Sequence, residues 1–259
     1  MATHLGMALK QAGHRIVCVY SRTMASASAL AAQTGGVAVD AIQQVPQTAD
    51  VFVMAVKDAV LATLAAQLAK GREGQVFLHT AGSMPMDLFQ GLVRHYGVFY
   101  PMQTFSKERS VGFADIPIFL ETSDEPSMGV LRSLAESISR SVYNLDSDNR
   151  KYLHLAAVFA CNFTNHCYAL AAQLLEQHGL PFDVMLPLID ETARKVHELH
   201  PRESQTGPAV RYDETVIAMQ RQLLNDHPVM QEVYELLSKS IHDLSKAKHD
   251  IKEPQNQLT

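Results

Sequence analysis

The sequence has no tryptophan, and its three cysteines, Cys18, Cys161 and Cys167, form no C-x-x-C pair. An odd number at such spacings gives neither a disulfide framework nor a zinc knuckle, and it fits a protein of the reducing cytoplasm. Long hydrophobic runs are missing too. The longest, Val51–Val56 and Leu155–Cys161, fall far short of the roughly 20 apolar residues of a membrane span, so no membrane partner is expected. Met1 to His14 lack the basic start and apolar block of a secretory signal. Basic charge is scarce: 22 Lys and Arg stand against 27 Asp and Glu, a formal net charge of −5. Phosphate neutralisation needs a basic face, so nucleic acid is not the expected partner. There is no P-loop and no G-x-S-x-G elbow. His197-Glu198-Leu199-His200 does not match the H-E-x-x-H zinc pattern, and 12 scattered histidines make no metal site.

What is present is an ordinary globular composition. Hydrophobic residues make up 47% of 259 positions, enough for one large domain or two modest ones. The order of patterns divides the chain. Leu5, Ala8, Leu9 and Ala12 recur at helical spacing, so Ala2–Ala12 reads as a helix ended by Gly13. Ile16–Tyr20 reads as a buried strand, Met24–Gln33 as an alanine-rich helix and Val37–Val39 as a short strand. Val51–Val56 is the next strand, followed by a helix to Lys70 that Asp58 can cap. Strands are expected at Gln75–Thr80, near Gly97–Tyr100, and at Ile116–Glu121. A helix from Asp124 to Arg140 has Pro126 in its first turn, and Val142–Leu145 makes a last strand. Strands alternating with helices predict βαβ crossovers and a mostly parallel, doubly wound sheet.

From Ser147 onward the patterns are helical only: roughly 147–178, 182–199, 213–225 and 228–246, with Pro201, Gly207 and Pro208 in the one long connection. The expected organisation is therefore an α/β domain over 1–147, an all-α domain over 148–246, and a polar, disordered tail over 247–259.

Open parallel sheets bind ligands beyond the carboxyl ends of their strands. Three such ends carry suggestive chemistry. Ser21, Arg22 and Thr23 follow the strand at Ile16–Tyr20. In a dinucleotide-binding unit that position meets the adenosine ribose, and a hydroxyl–Arg–hydroxyl triplet suits the 2′-phosphate of NADP where an acidic residue would suit NAD. The same triplet also reads as an exposed turn with Thr23 capping a helix. Lys57 and Asp58 follow the third strand. Ala81, Gly82 and Ser83 follow the fourth, where a small Ala-Gly pair would let backbone approach a flat ligand, or would merely supply a tight turn. One expected part is missing. A Rossmann unit opens with a strand and G-x-G-x-x-G before its first helix, whereas this chain starts already inside that helix. The sheet is expected to lack that central strand and to expose the edges of its neighbours.

On the long helix from Ser147, the polar residues Lys151, His154, Asn162, Asn165 and His166 share an arc of about 120° at about 100° per residue. A polar stripe on an otherwise apolar helix is either a satisfied internal network or a ligand wall. As a wall it offers His154 as general acid, with Asn162 or Lys151 orienting a carbonyl or carboxylate. Asp190, Glu191, Arg194, Lys195 and Glu198 form i,i+4 pairs and read as a solvated charged face.

Several segments are similar to one bacterial family: Y-S-R-T (20–23), A-V-K-D (55–58), H-T-A-G-S (79–83), Y-G-V-F-Y-P-M-Q-T-F-S (96–106), K-Y-L-H-L-A-A-V-F-A-C-N-F-T-N-H (151–166), L-I-D-E-T-A-R-K-V-H-E-L (188–199) and Q-T-G-P-A-V-R-Y-D (205–213). The chain resembles the NADP oxidoreductases that join a Rossmann-like domain to a C-terminal helical domain of unknown function, distant relatives of pyrroline-5-carboxylate reductase and the β-hydroxyacid dehydrogenases. The resemblance implies a Rossmann-like domain, without its first strand and glycine loop, followed by an all-α domain of the 6-phosphogluconate-dehydrogenase-like type. It implies an NADP site at Ser21, Arg22 and Thr23 with Ala55, Val56, Lys57, Thr80, Ala81, Gly82 and Ser83. It further implies a small-molecule substrate in a cleft between the domains with the long helix as one wall, where the polar stripe would place His154, Asn162 and Lys151, with Gln103, Asn165, His166, Gln205, Thr206 and Arg211 in support. A homodimer through the helical domain is implied as well. The related dehydrogenases use a lysine and an asparagine one helical turn apart; here Lys151 has Leu155 at that offset, so that pair does not carry over. The rival expectation is a nucleotide-sensing or assembly protein that keeps the fold without the chemistry.

Overall fold

The computed structural model describes residues 1–106, 109 and 111–246; the tail expected over 247–259 lies outside them. Two compact units divide the chain, one over Met1–Cys161 and one from Asn162 onward. The division falls later than the expected 147 because the first turns of the long helix are tied to the sheet.

In the first unit, β1 (Cys18–Tyr20) and β2 (Val37–Val39) form a parallel pair, with Cys18 opposite Val37 and Tyr20 opposite Val39. The main sheet runs β3 (Val51–Met54), β4 (Val76–His79), β5 (His95–Pro101), β6 (Ile118–Thr122) and β7 (Val142–Asn144). β3, β4 and β5 are parallel, β6 reverses against β5, and β7 is parallel to β6. The reversal has a simple cause. A parallel pair needs a long crossover, and in the described residues between β5 and β6 the only helix is the one-turn Phe113–Asp115. Among the described residues no strand joins β1 to β3, so the sheet is in two pieces, each with an open edge.

Alternation along the strands sends neighbours to opposite faces. Leu78, Phe99, Ile118 and Leu120 pack with Leu5 and Leu9 of α1 (Ala2–Gln11) and with Leu131 and Ala135 of α4 (Glu125–Glu136). On the other face, Phe52, Met54 and Phe77 pack with Leu61, Ala65 and Leu68 of α3 (Asp58–Leu68), while Val98, Tyr100 and Phe119 meet Leu153. Gly97 is required where β5 meets β6, because a Cβ there would strike the Glu121 carbonyl oxygen and press on Leu131. α2 (Met24–Thr34) ends at Gly35, whose φ of 79° suits glycine. Two expected caps differ. Lys57, not Asp58, is the N-cap of α3 and makes no side-chain cap, and Thr23 caps α2 without a side-chain bond to backbone. Asp124 does cap α4, accepting from the Ser127 amide at 2.9 Å.

The long helix is three segments: α5 (Ser147–Ala157), a π-helical stretch over Val158–Phe163, and α6 (Thr164–Gln177). The second unit continues with α7 (Leu186–Glu198), the one-turn α8 (Pro201–Ser204) and α9 (Pro208–Arg211), α10 (Glu214–Gln222) and α11 (Pro228–Lys246). The two single turns lie in the connection that the sequence left without structure. Among the described residues of this unit, only Leu224, Met230 and Ser238 are buried. No described helix is long and apolar enough to cross a membrane.

Candidate active site

Three strand ends of the first unit carry the expected chemistry. At the end of β1, the Ser21 amide donates to Val39 O at 3.1 Å, continuing the ladder. Arg22 is exposed and has no hydrogen bond or ion pair with any described residue. Thr23 donates its hydroxyl to Ser26 Oγ at 2.9 Å. After β3, Ala55 and Val56 are half-buried and Lys57 is exposed. Asp58 accepts a short hydrogen bond from Ser83 Oγ, which ties the ends of β3 and β4 together. After β4, Thr80 is buried and its amide reaches Met54 O at 3.3 Å.

The loop after β4 is held from below by a histidine. His79 is fully buried. Its Nδ1 accepts from the Ala81 amide at 3.2 Å, so its Nε2 carries the proton and donates to Pro85 O at 3.3 Å. Burial, reinforced by the nearby Arg150 guanidinium, lowers its pKa from 6.5 to about 4. His79 is therefore a neutral brace spanning the turn.

Arg150, 1% exposed, locks α5 to the same loop. It donates to Met84 O at 2.7 Å and to Ser147 Oγ at 2.9 Å, and it pairs with Glu121 of β6. Glu121 also accepts from the Ser147 amide at 2.9 Å and from its hydroxyl at 2.7 Å. A buried ion pair repays its desolvation only with such additional hydrogen bonds. This clamp fixes the start of α5, and one turn later it places His154.

His154 meets the sheet at Gly82 and Tyr100. Tyr100 Oη lies 3.0 Å from His154 Nδ1, with the rings edge to face at 73°. A Cβ on Gly82 would come within 2.6 Å of His154 Nδ1 and 2.9 Å of Tyr100 Cζ. The space that the missing Cβ leaves is thus filled by the histidine and tyrosine. Burial raises the Tyr100 pKa above its usual 10, partly opposed by Arg150, so the phenol keeps its proton. No partner for His154 Nε2 is found among the described residues, and it stays open to solvent.

Lys151 is exposed and gives its ammonium to Asp148 at 2.9 Å; that hydrogen bond and charge raise its pKa. Its ammonium is engaged in this surface pair. Gln103 uses its side-chain oxygen locally, accepting from the Thr104 amide at 2.8 Å. Asn162, Asn165 and His166 are exposed, in or beyond the π-helical stretch. The expected arc assumed unbroken α geometry, which the π-helical stretch interrupts. Gln205, Thr206 and Arg211 are exposed in the second unit, and Gln205 Nε2 donates to Thr206 O at 3.2 Å. Sequence reasoning missed His79, Tyr100 and Arg150. Period-two alternation from Val98 would have put Tyr100 on the α5 face, and Arg150 stands four residues before His154.

Residues 1–102 match the Rossmann-like domain family, and residues 116–241 match a domain of unknown function, DUF2520. A Bacteroides fragilis protein named as a "putative NADP oxidoreductase" is 54% identical, over 93% of this chain and 94% of that one, with a TM-score of 0.90. A Thermotoga maritima protein is 24% identical, over 93% and 95% of the two chains, with a TM-score of 0.77. The fold is shared further with a Plasmodium falciparum pyrroline carboxylate reductase solved with NADP bound, 8% identical over 93% of each chain, TM-score 0.57. No curated protein matches. The chain belongs to the family of the Bacteroides protein, which couples a Rossmann-like domain to a helical DUF2520 domain.

Proposed function

We propose that the chain is an NADP(H)-dependent oxidoreductase acting on a small carbonyl, imine or hydroxy-acid substrate. The observation that carries this reading is the unpartnered Arg22 guanidinium at the carboxyl end of β1, between two hydroxyl residues. Doubly wound sheets bind ligands at such ends, and a planar guanidinium matches a phosphate with two parallel hydrogen bonds. The donor set therefore fits NADP. Ser21, Arg22 and Thr23 would hold the 2′-phosphate, and the backbone at Ala55–Lys57 and Thr80–Ser83 would line the rest of the site. Bound NADP(H) supplies or accepts the hydride. The chain orients the partner groups: His154, braced by the Arg150 clamp and set against Gly82, meets the polar atom of the substrate.

The name of the Bacteroides relative supports this reading. A homodimer through the second unit belongs to the same proposal, supported by helices that bury almost none of their apolar side chains. So does a cytoplasmic location, in keeping with three free cysteines.

Isothermal titration of the wild type and Arg22→Ala with NADPH and NADH tests the reading. A charged hydrogen bond is worth about 1.5–3 kcal/mol, so NADPH affinity should fall roughly ten- to a hundredfold while NADH affinity barely moves. Equal losses for both cofactors would remove Arg22 from the 2′-phosphate.

A further inference from the structure

We infer that Tyr100 is a positioning residue that locks His154 as the neutral tautomer with its proton on Nε2, and that the site consequently favours a carbonyl oxygen over an iminium nitrogen. The inference rests on the reading of His154 as the group that meets the substrate, and it deepens it.

The argument is an account of donors and acceptors. The Tyr100 side chain is 7% exposed and keeps its phenolic proton. A buried hydroxyl proton without an acceptor is costly, because it has given up water and gained no partner. Among the described residues, the acceptor within reach of Tyr100 Oη is His154 Nδ1, at 3.0 Å. If Nδ1 carried a proton it would donate to the tyrosine oxygen and strand the phenolic proton. The satisfied arrangement has Tyr100 donating to a bare Nδ1, which leaves the imidazole proton on Nε2. A Cβ at Gly82 would fall 2.6 Å from Nδ1, so this side of the ring is closed. Nε2, the open nitrogen, is then a hydrogen-bond donor with no charge. A neutral imidazole N–H polarises a carbonyl oxygen by donating to it. It has nothing to accept the N–H of an iminium, which would need an acceptor at that point. Tyr100 touches neither substrate nor cofactor in this scheme; it acts through the histidine.

Long-range proton–nitrogen NMR of the histidine rings reads the tautomer directly, with the His154 signals assigned by their loss in His154→Gln. The wild type should show Nε2 protonated and Nδ1 as a hydrogen-bonded acceptor. In Tyr100→Phe the Nδ1 resonance should move to that of a nitrogen without a donor, with the other histidines unchanged. A wild-type Nδ1–H, or an unchanged Nδ1 signal in Tyr100→Phe, overturns the inference. NADPH consumption is then compared with a panel of small aldehydes and ketones and with a cyclic iminium as probes. Turnover of the carbonyls supports the assignment; turnover of the iminium alone, or of neither, overturns the substrate preference. Titration with NADPH separates the two layers. Failure to bind NADPH would end the oxidoreductase reading while leaving the Tyr100–His154 tautomer to stand or fall on its own spectrum.

Discussion

Gly82 shows how much rests on single atoms here. Its missing side chain is the space that His154 and Tyr100 occupy, so Gly82→Ala must push the imidazole off Tyr100. The cost of such a clash inside packed side chains is typically about 1–3 kcal/mol. Because His154 is only half-buried, most of that strain should be relieved by moving it. The expected result is a protein that unfolds near the wild-type midpoint but has lost the Tyr100–His154 hydrogen bond in its NMR spectrum; retention of that bond would show that the loop yields instead. His79 gives a second prediction at this scale. Its folded pKa of about 4 lies below the ordinary 6.5, so the unfolded chain binds the proton first. The neutral brace contributes its stability in full above about pH 6.5, and that contribution is lost as the pH falls toward 4. Between pH 7 and 4.5 the loss should be about 2 kcal/mol. Urea unfolding of the wild type and His79→Gln at both pH values checks it, since the variant should lack that part of the acid decline.

The elements are where the sequence spoke most clearly. Helical spacing of Leu5 and Leu9, the apolar run at Val51, and Asp124 followed by a proline within the first turn each put an element where the structure has it, because each is a local signal. The cap is testable. Asp124 accepts from the Ser127 amide and hydroxyl, from Ser123 and from His95. Burial alone would raise its pKa, but these hydrogen bonds hold it down to about 2. Asp124→Ala should cost about 1–2 kcal/mol at neutral pH, and the same stability should leave the wild type only as the pH falls from about 3.8 toward 2. A cost that persists undiminished at pH 2 would mean that packing, not the carboxylate, makes the contribution. The long helix is the opposite case. Its polar stripe was legible only on the assumption of unbroken α geometry, and the π-helical stretch over Val158–Phe163 removes that assumption for Asn162, Asn165 and His166. Nothing in the 158–163 sequence announces a π turn, because its residues carry the same spacing as the α-helical segments around them.

At the scale of the molecule, the second unit lacks what an isolated domain needs. Leu180, Val184, Leu188, Leu223 and Leu236 are 53%, 60%, 59%, 80% and 69% exposed, and the unit buries only Leu224, Met230 and Ser238 among its described residues. Exposed apolar surface on this scale marks an association site. A second copy is the occupant proposed, because an obligate homodimer interface resembles a domain core cut in half. Light scattering after gel filtration should give twice the 28.6 kDa chain mass. Leu223→Glu combined with Leu236→Glu should shift it to the monomer; on a free surface the pair would change little. A wild type that runs at the mass of one chain would sink the proposal.

The sequence by itself determined the alternation of strands and helices, the all-helical second half, and the Arg22 triplet at a strand end, because periodicity, caps and turn residues act over a few neighbours. Only the tertiary structure decided which polar residues work together. It reversed β6 against β5, spent Lys151 on Asp148, and gathered Gly82, Tyr100, His79, Arg150 and His154 around one loop. Those five come from two strands, a turn and a helix up to 75 positions apart, from His79 to His154. Their hydrogen bonds reward no local pattern. They exist because buried donors and acceptors must find partners wherever the fold brings them.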